Sequence, residues 1–390
     1  MRIAFPLIGG KEWTGGRNYL FNLIRALVKH YPSAVTPVLF YGQDVDSEEI
    51  SSFAGLAGVE LVSDSSFDRR RRFYSLAQAV AFGVDRRIRG LLIKNRIDVV
   101  FETAQFFGTR LNIPTIAWIP DFQHRHLPQL FPPFARLKRE FGFRAQIYAG
   151  RFIMLSSQDA RQDCEYFYTA TKGRTHAVHF AVPPPAAVDF AKARKIADNY
   201  DLPEYFFYLP NQFWVHKNHL LVAEALSILR KQGRKVVVAA SGNNQDPRNP
   251  RYFQRLCEKI DALGVRDEFR LLGLIPYDHL GALMRSCTAL LNPSLFEGWS
   301  TTVEEARSLG VPLILSDLSV HREQAGDSGN YFDPKSASSL AQALVSITPI
   351  SRSERSILEA TAAGQSEIRV RAFADQFLEL AMCCVKQFRQ

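Results

Sequence analysis

"NPSLFEGWSTTVEEARSLGVPLILSD", Asn292 to Asp317, sets a polar stretch with three glutamates beside the apolar run "VPLILSD". "TALLNPS", which leads into it, is another such run. Both read as strands buried on two faces, the habit of parallel sheets. Between them lie a loop, "LFEGWS", and a helix, "TTVEEARSLG", closed by Gly310. Thr301 with Glu304, or Thr302 with Glu305, would form a capping box. Glu304 then reads as a solvent-facing or capping residue beside Arg307. No cap reaches Glu297, an acid in a loop at the carboxyl end of a strand, where open α/β sheets bind their ligands. Glu297 and Glu305 are eight positions apart. One can meet a ligand at the helix mouth while the other reaches it from the first or second turn.

The same alternation runs outward in both directions. Upstream strands are "RIAFPLI", "TPVLFYG", "VELVSD", "IDVVFET", "TIAWIPD" and "FIMLSS". "GGRNYLFNLIRALVKHY" keeps Leu20, Leu23, Ile24 and Leu27 at helical spacing. Pro183 to Pro185 then interrupt the pattern, since consecutive prolines cannot sit inside a strand or helix. It restarts with "YFFYLPNQ", "KVVVAASG" and "EFRLLGLI". The expected organisation is a first domain over 1–182, a linker over 183–200 and a second domain over 201–367. A terminal helix over about 368–390 could pack on either. Two doubly wound parallel sheets facing a deep cleft follow from this order.

A chain of 390 residues exceeds the usual ceiling for one core. With 46% hydrophobic and 22% charged residues and no biased tract, the composition is that of a water-soluble fold. The start, "MRIAFPLIGG", reads as a strand rather than a leader, and no apolar run is long enough to span a bilayer. The five cysteines form no CxxC pair and are odd in number, which fits free thiols in a reducing cytoplasm. A net charge of +9 favours anionic partners. Nucleic acid is set aside, because no helix-turn-helix, zinc finger or aromatic RNA-binding motif is in view.

The strand-to-helix turns supply the remaining candidates. Gly15 and Gly16 precede a helix that is expected to start near Arg17. They form either a flexible loop or a close anion seat, and no GxGxxG or Walker A lysine accompanies them. Asp121, Gln123, His124 and His126 follow the fifth strand, as a base, as metal ligands, or as a cap with solvated histidines. Lys217 lies near the start of a helix. It is either a surface lysine or a cation placed for a diphosphate.

Taken together, "FEGWSTTVEEA" resembles the E-x7-E signature of retaining glycosyltransferases of family four, which have the GT-B fold. The match covers Glu297, Gly298, Trp299, Glu305 and Ala306. "LGVPLILSD", "LLGLIPYDHLGALMRSCTALLNPS", "LPNQFWVHKNHLLVAEAL" and "PLIGGKEWTGGRNYLFNL" are similar to the segments that surround that motif in the family. The resemblance implies a transferase that moves a sugar from a nucleoside-diphosphate sugar, retains the anomeric configuration and needs no metal or other cofactor. Glu297 would accept bonds from the sugar's hydroxyls, and Glu305 would hold the ribose. Lys217 would neutralise the diphosphate as the glycosidic bond breaks. Backbone near Gly298, Trp299, Ser300, Thr301 and Thr302 would face the sugar and diphosphate, with Gly15 and Gly16 approaching the phosphates. Asn211, Gln212, Gly242 and Leu274 complete the implied donor site, and Asp121 or His124 would meet the sugar from the first domain.

The sequence departs from the family at three points. Asn211 and Gln212 stand where a Gly-Arg pair is common, so one phosphate-binding cation is missing. Ser300-Thr301-Thr302 replace Gly-Leu-Pro. The usual His-Asp dyad is displaced in "WIPDFQHRH". Likeness to bacterial surface-polysaccharide enzymes leans the donor toward GDP-mannose and the acceptor toward a glycan or lipid-linked glycan. The alternative is a protein of this fold that binds nucleotide sugar without transfer, or a phosphorylase.

Two segments mix cations with aromatics. Arg69 to Arg72, Arg86, Arg87, Arg89, Lys94 and Arg96 run with Phe67, Phe73, Tyr74 and Phe82. "FPPFARLKREFGFR" adds Phe131, Phe134, Phe141 and Phe143 to Arg136, Lys138, Arg139 and Arg144. They read either as solvated helix faces or as an interface for an anionic membrane, peripheral on its cytoplasmic side.

Overall fold

A computed structural model describes residues 1–7, 14–103, 105–185 and 189–390. The chain forms two compact units. Unit one is Met1–Phe122, Pro133–Ala181 and Arg369–Gln390, and unit two is Gln123–Pro132 and Val182–Ile368.

Among the described residues, unit one is built on seven strands: β1 Arg2–Pro6, β2 Thr36–Tyr41, β3 Glu60–Ser63, β4 Val99–Glu102, β5 Thr115–Ile119, β6 Phe152–Leu155 and β7 Thr175–Ala177. Their order is β3-β2-β1-β4-β5-β6-β7, and all pairings are parallel. In-register pairing sends Glu102 and Ala117 to one face and Phe101 and Ile116 to the other. On the first face Ala4, Val38 and Val100 pack with Ile88 and Leu92, while Ala117 and Ile153 pack with Ile147. The second face is aromatic. Tyr19 stacks on Trp118 with centroids 4.2 Å apart, and Phe5 meets Phe377 from the terminal helix Arg352–Phe388 at 5.9 Å.

Unit two has six parallel strands: β8 Phe207–Leu209, β9 Val238–Ser241, β10 Phe269–Gly273, β11 Ala289–Asn292, β12 Leu313–Ser316 and β13 Gly329–Phe332. The order is β10-β9-β8-β11-β12-β13. Alternate side chains serve two cores: Leu209, Ala240, Leu291 and Ile314 on one face, and Tyr208, Ala239, Leu290 and Leu315 on the other. Chain order reverses between β8 and β11, so the loops leaving these neighbours part at the point where doubly wound sheets take their ligands.

Three local expectations need correction. The helix at the glycine turn spans Thr14–His30, so Gly15 and Gly16 lie in its first turn rather than before it; the loop at 8–13 lies outside the described residues. The stretch expected as linker carries a helix, Phe190–Asp198, whose Ala193 and Ala197 are buried. Strands β7 and β13 add an edge to each sheet where none was expected. Both are short, and their alternating partly buried residues lack the apolar run that marks a central strand.

Candidate active site

Two loops of unit two meet at the reversal. After β8 the chain turns through Val215–Lys217 into the helix His219–Lys231. The hinge is Asn218, held at φ 59° in the left-handed region that asparagine tolerates best among non-glycines. Its amide donates to the carbonyls of Pro293, at 3.1 Å, and Pro334, at 2.9 Å. The turn is thereby tied to the end of β11 and to the chain beyond β13. After β11 the loop brings Glu297 to the same place. Lys217 Nζ donates to Glu297 Oε1 at 2.6 Å, and both side chains are largely buried.

Glu297 does not depend on the lysine alone. Its Oε1 also accepts from Ser294 Oγ at 2.7 Å and Asn292 Nδ2 at 3.5 Å. Asn292 in turn donates to Ser300 Oγ at 2.9 Å, and its Oδ1 lies 2.6 Å from Ser294 Oγ. Burial pushes the Glu297 carboxyl up, but the charge of Lys217 outweighs it and holds the group at about 2. The sign follows from magnitudes. Two unit charges at this separation attract by roughly 6 kcal/mol at an effective dielectric of 20, against a desolvation cost of several kcal/mol. Glu297 is therefore held as an anion, which accepts hydrogen bonds. His216 is driven down to about 3 by burial and by Lys217, and His321 is also lowered by burial. Both stay neutral beside the pair.

Glu305 differs in every respect. It lies on the helix Thr301–Ser308, half-buried, and its carboxylate has no hydrogen-bond partner among the described residues. Burial alone pushes it up to about 7. Glu304, expected to face solvent or to cap the helix beside Arg307, is fully buried. Its Oε2 accepts from Arg307 at 2.8 Å and from Gln324 at 3.3 Å. Neither threonine caps the helix. Ser300 is the cap, accepting from the Val303 N–H at 3.4 Å, and no glutamate stands at the third position to complete a box. The Ser300 N–H, one of those expected to face a ligand, is bonded to Gln324 Oε1 at 3.3 Å. Thr301 is exposed, Gly298 and Trp299 are half-buried, and Thr302 Oγ1 donates to Asn211 Oδ1 at 3.4 Å.

Asn211 is buried and Gln212 exposed at the end of β8. Gly242, at the end of β9, has its space taken: a Cβ there would lie 2.5 Å from the Asn211 carbonyl oxygen. Its glycine serves the close passage of these two loops. Leu274, just past β10, is 76% exposed. Asp121 lies in unit one, paired with Arg139 at 3.3 Å. His124 is buried in unit two against Phe131.

Sequence reasoning missed Arg248. Its guanidinium lies between Phe131, at 4.8 Å, and Trp214, at 5.2 Å. It donates to Gln123 Oε1 at 2.9 Å and contacts His216 Nδ1 at 3.4 Å. The neighbouring residue His126 stacks near Phe296, 5.2 Å between centroids, one position before Glu297. Arg248 lies one loop after Asn211 and Gln212, pairs with Asp246 at 3.6 Å and ties Gln123 to unit two. Proline, asparagine and aspartate in "NNQDPRNP" marked that loop, but only the fold places the arginine beside Trp214.

Residues 189–363 match the family described as Glycosyl transferases group 1. An uncharacterized glycosyltransferase of Methanocaldococcus jannaschii is 31% identical over 98 residues, 25% of this chain and 23% of that protein. The O-antigen chain mannosyltransferase B of Escherichia coli is 32% identical over 79 residues, 20% of this chain and 21% of that protein. The chain thus matches less than a quarter of either relative's length. An Anabaena protein, HepE, solved in complex with UDP and glucose, superposes with a TM-score of 0.66 at 15% identity, over 97% of this chain and 98% of that one. The likeness is one of fold: two parallel-sheet α/β units, as in glycosyltransferases of the GT-B fold. Within unit two, the segment 189–363 is what resembles that family.

Proposed function

We propose that this protein is a retaining glycosyltransferase of family four that moves a sugar from a nucleoside-diphosphate sugar to a glycan or lipid-linked glycan. The observation that carries the reading is the buried Lys217–Glu297 pair at the β8–β11 reversal, with the unpartnered Glu305 carboxylate eight residues on. In this reading the donor diphosphate draws Lys217 toward it. Positive charge is then in place where negative charge grows as the glycosidic bond breaks. Glu297, relieved of one donor but still held by Ser294, accepts from the sugar's hydroxyls. Glu305 accepts from the ribose. No metal takes part; the cation is the lysine. Asp121 or His124 contributes to the sugar site.

Mannose from GDP-mannose is the favoured donor. Similarity to the Escherichia coli O-antigen chain mannosyltransferase B supports mannose and a surface-polysaccharide acceptor, while the UDP and glucose bound by the Anabaena protein make UDP-glucose the competitor to test. A thermal-shift panel of GDP, UDP, GDP-mannose and UDP-glucose, followed by turnover, decides between them. GDP-mannose should raise the melting temperature most and turn over, with the product's anomeric configuration by NMR matching the donor's. Lys217→Met should lower kcat by about 10²–10³-fold, the loss typical of a removed charge-stabilising donor. Glu297→Gln should lower kcat likewise and, by leaving the buried Lys217 without its counter-charge, should also lower stability by about 3–5 kcal/mol. If none of the four nucleotides stabilises the protein, the transferase reading is wrong.

A further inference from the structure

Two helices of unit one are amphipathic in the wrong direction for a solvent-facing surface. On the helix Pro133–Tyr148, Phe134, Leu137, Phe141 and Tyr148 fall at i, i+3, i+7 and i+14. They form one stripe, and they are 77%, 67%, 55% and 87% exposed. On the helix Arg72–Ala81, the buried positions are the small residues Ser75 and Ala79, while Phe73, Tyr74 and Val80 face outward. Phe82 follows, also exposed. Large apolar side chains standing together in water mark a surface that meets something.

Both helices belong to one layer. The β3–β4 crossover carries Arg72–Ala81 and then Arg86–Lys94, whose Ile88 and Leu92 pack on the face of Ala4, Val38 and Val100. Pro133–Tyr148 packs Ile147 on Ala117 and Ile153. The in-register ladder puts Val100, Ala117 and Ile153 on the same face. Both crossovers also run the same way along the sheet, and right-handed connections then place their helices on one side.

Charge identifies the partner. Residues 69–96 hold nine arginines and lysines and one acid, Asp85, and that acid is occupied in capping the helix Arg86–Lys94. Pro133–Tyr148 holds four cations and one acid. Arg70, Arg86, Arg87 and Lys94 are exposed and make no ion pair with any described residue. Exposed apolar side chains on both helices, with unpaired cations beside those of residues 69–96, fit the interface of a bilayer carrying anionic lipid. Nucleic acid would use the cations but leave the phenylalanine stripe in water. Among the described residues no helix is long and apolar enough to cross a membrane, so attachment would be peripheral.

We propose that this helix layer of unit one docks on an anionic membrane surface, with Phe73, Phe82, Phe134 and Leu137 entering the headgroup boundary. The inference goes beyond the transfer reading and stands or falls apart from it. The test is flotation of the full chain with vesicles of phosphatidylcholine alone or with about a third phosphatidylglycerol, at low and high salt. Binding should be at least tenfold stronger to the anionic vesicles and should weaken with salt. The variant F73S/F134S/L137S should lose at least tenfold of that binding while keeping its melting temperature and its nucleotide-induced thermal shift. Equal binding to both vesicles, or none to either, overturns the proposal. So does self-association that the triple variant abolishes, which would assign the stripe to a second copy. RNA binding by shift assay without vesicle binding would assign the cations to nucleic acid and equally overturn it.

Discussion

Glu305 is a carboxylate held at the edge of ionisation. It is pushed up to about 7 by burial, with no counter-charge to offset it. Because the folded protein keeps a proton there that the unfolded chain releases near 4.5, the native state binds more protons between those values. Stability should therefore fall as pH rises from about 5 to 7, by about 1–3 kcal/mol at 1.36 kcal/mol per pK unit for a half-buried group. Denaturant midpoints of the wild type and Glu305→Gln measure it: the variant should be flat over that range and more stable at pH 8. Nucleotide affinity should run the other way in the wild type, rising as Glu305 ionises, since only the carboxylate accepts two ribose bonds. A nucleotide affinity indifferent to pH and to Glu305→Gln would remove this residue from the donor site. The glutamates were legible as candidates because a capping box could not account for Glu297. Their states were not legible. Glu304 and Glu305 are adjacent in sequence, yet one is buried against Arg307 and Gln324 and the other has no partner. Only the rotation of the helix over its core separates them.

The helix Thr301–Ser308 carries that separation, and Gly310 sets where it ends. Gly310 sits at φ 66°, with its Cα so close to the terminal helix that a Cβ would lie 2.6 Å from the Leu358 carbonyl oxygen. Gly310→Ala should cost about 2–4 kcal/mol, combining the left-handed penalty with a clash against backbone that cannot move aside. Urea unfolding measures it; a loss under 1 kcal/mol would mean that Leu358 yields. The glycine was readable as a helix stop, but its second duty was not, because Leu358 is far away in the chain. Element type followed the same divide. Central strands such as β11 and β12 announce themselves as apolar runs, since they are buried on both faces. Edge strands β7 and β13 are partly exposed and carry no such run. Residues 123–132 read as a turn of the first half, yet Arg248 and Phe296 place them in unit two.

At the scale of the chain, the repeat of two βα-alternating halves was plain from the restart after Pro185, while the ownership of the last helix was open. Arg352–Phe388 is one continuous helix, but its residues serve two cores. Arg355 donates to the carbonyls of Arg285 and Cys287 in unit two. Phe373 and Phe377 are fully buried among Tyr19, Phe5 and Phe101 in unit one, and the Tyr31 hydroxyl donates to Asp375 at 2.5 Å. A buried phenylalanine removed from a core typically costs 3–5 kcal/mol, so losing two exceeds a large part of what a domain has in reserve. Deleting residues 369–390 should therefore unfold unit one and leave the strands of unit two intact. Hydrogen exchange read peptide by peptide tests this. Amides of β1, β4 and β5 should lose protection, while those of β8, β11 and β12 keep it and gain more when a stabilising nucleotide is added. Equal loss in both sheets would mean that unit two cannot stand without its neighbour. Loss in neither would mean that the aromatic face of unit one closes over the gap by itself.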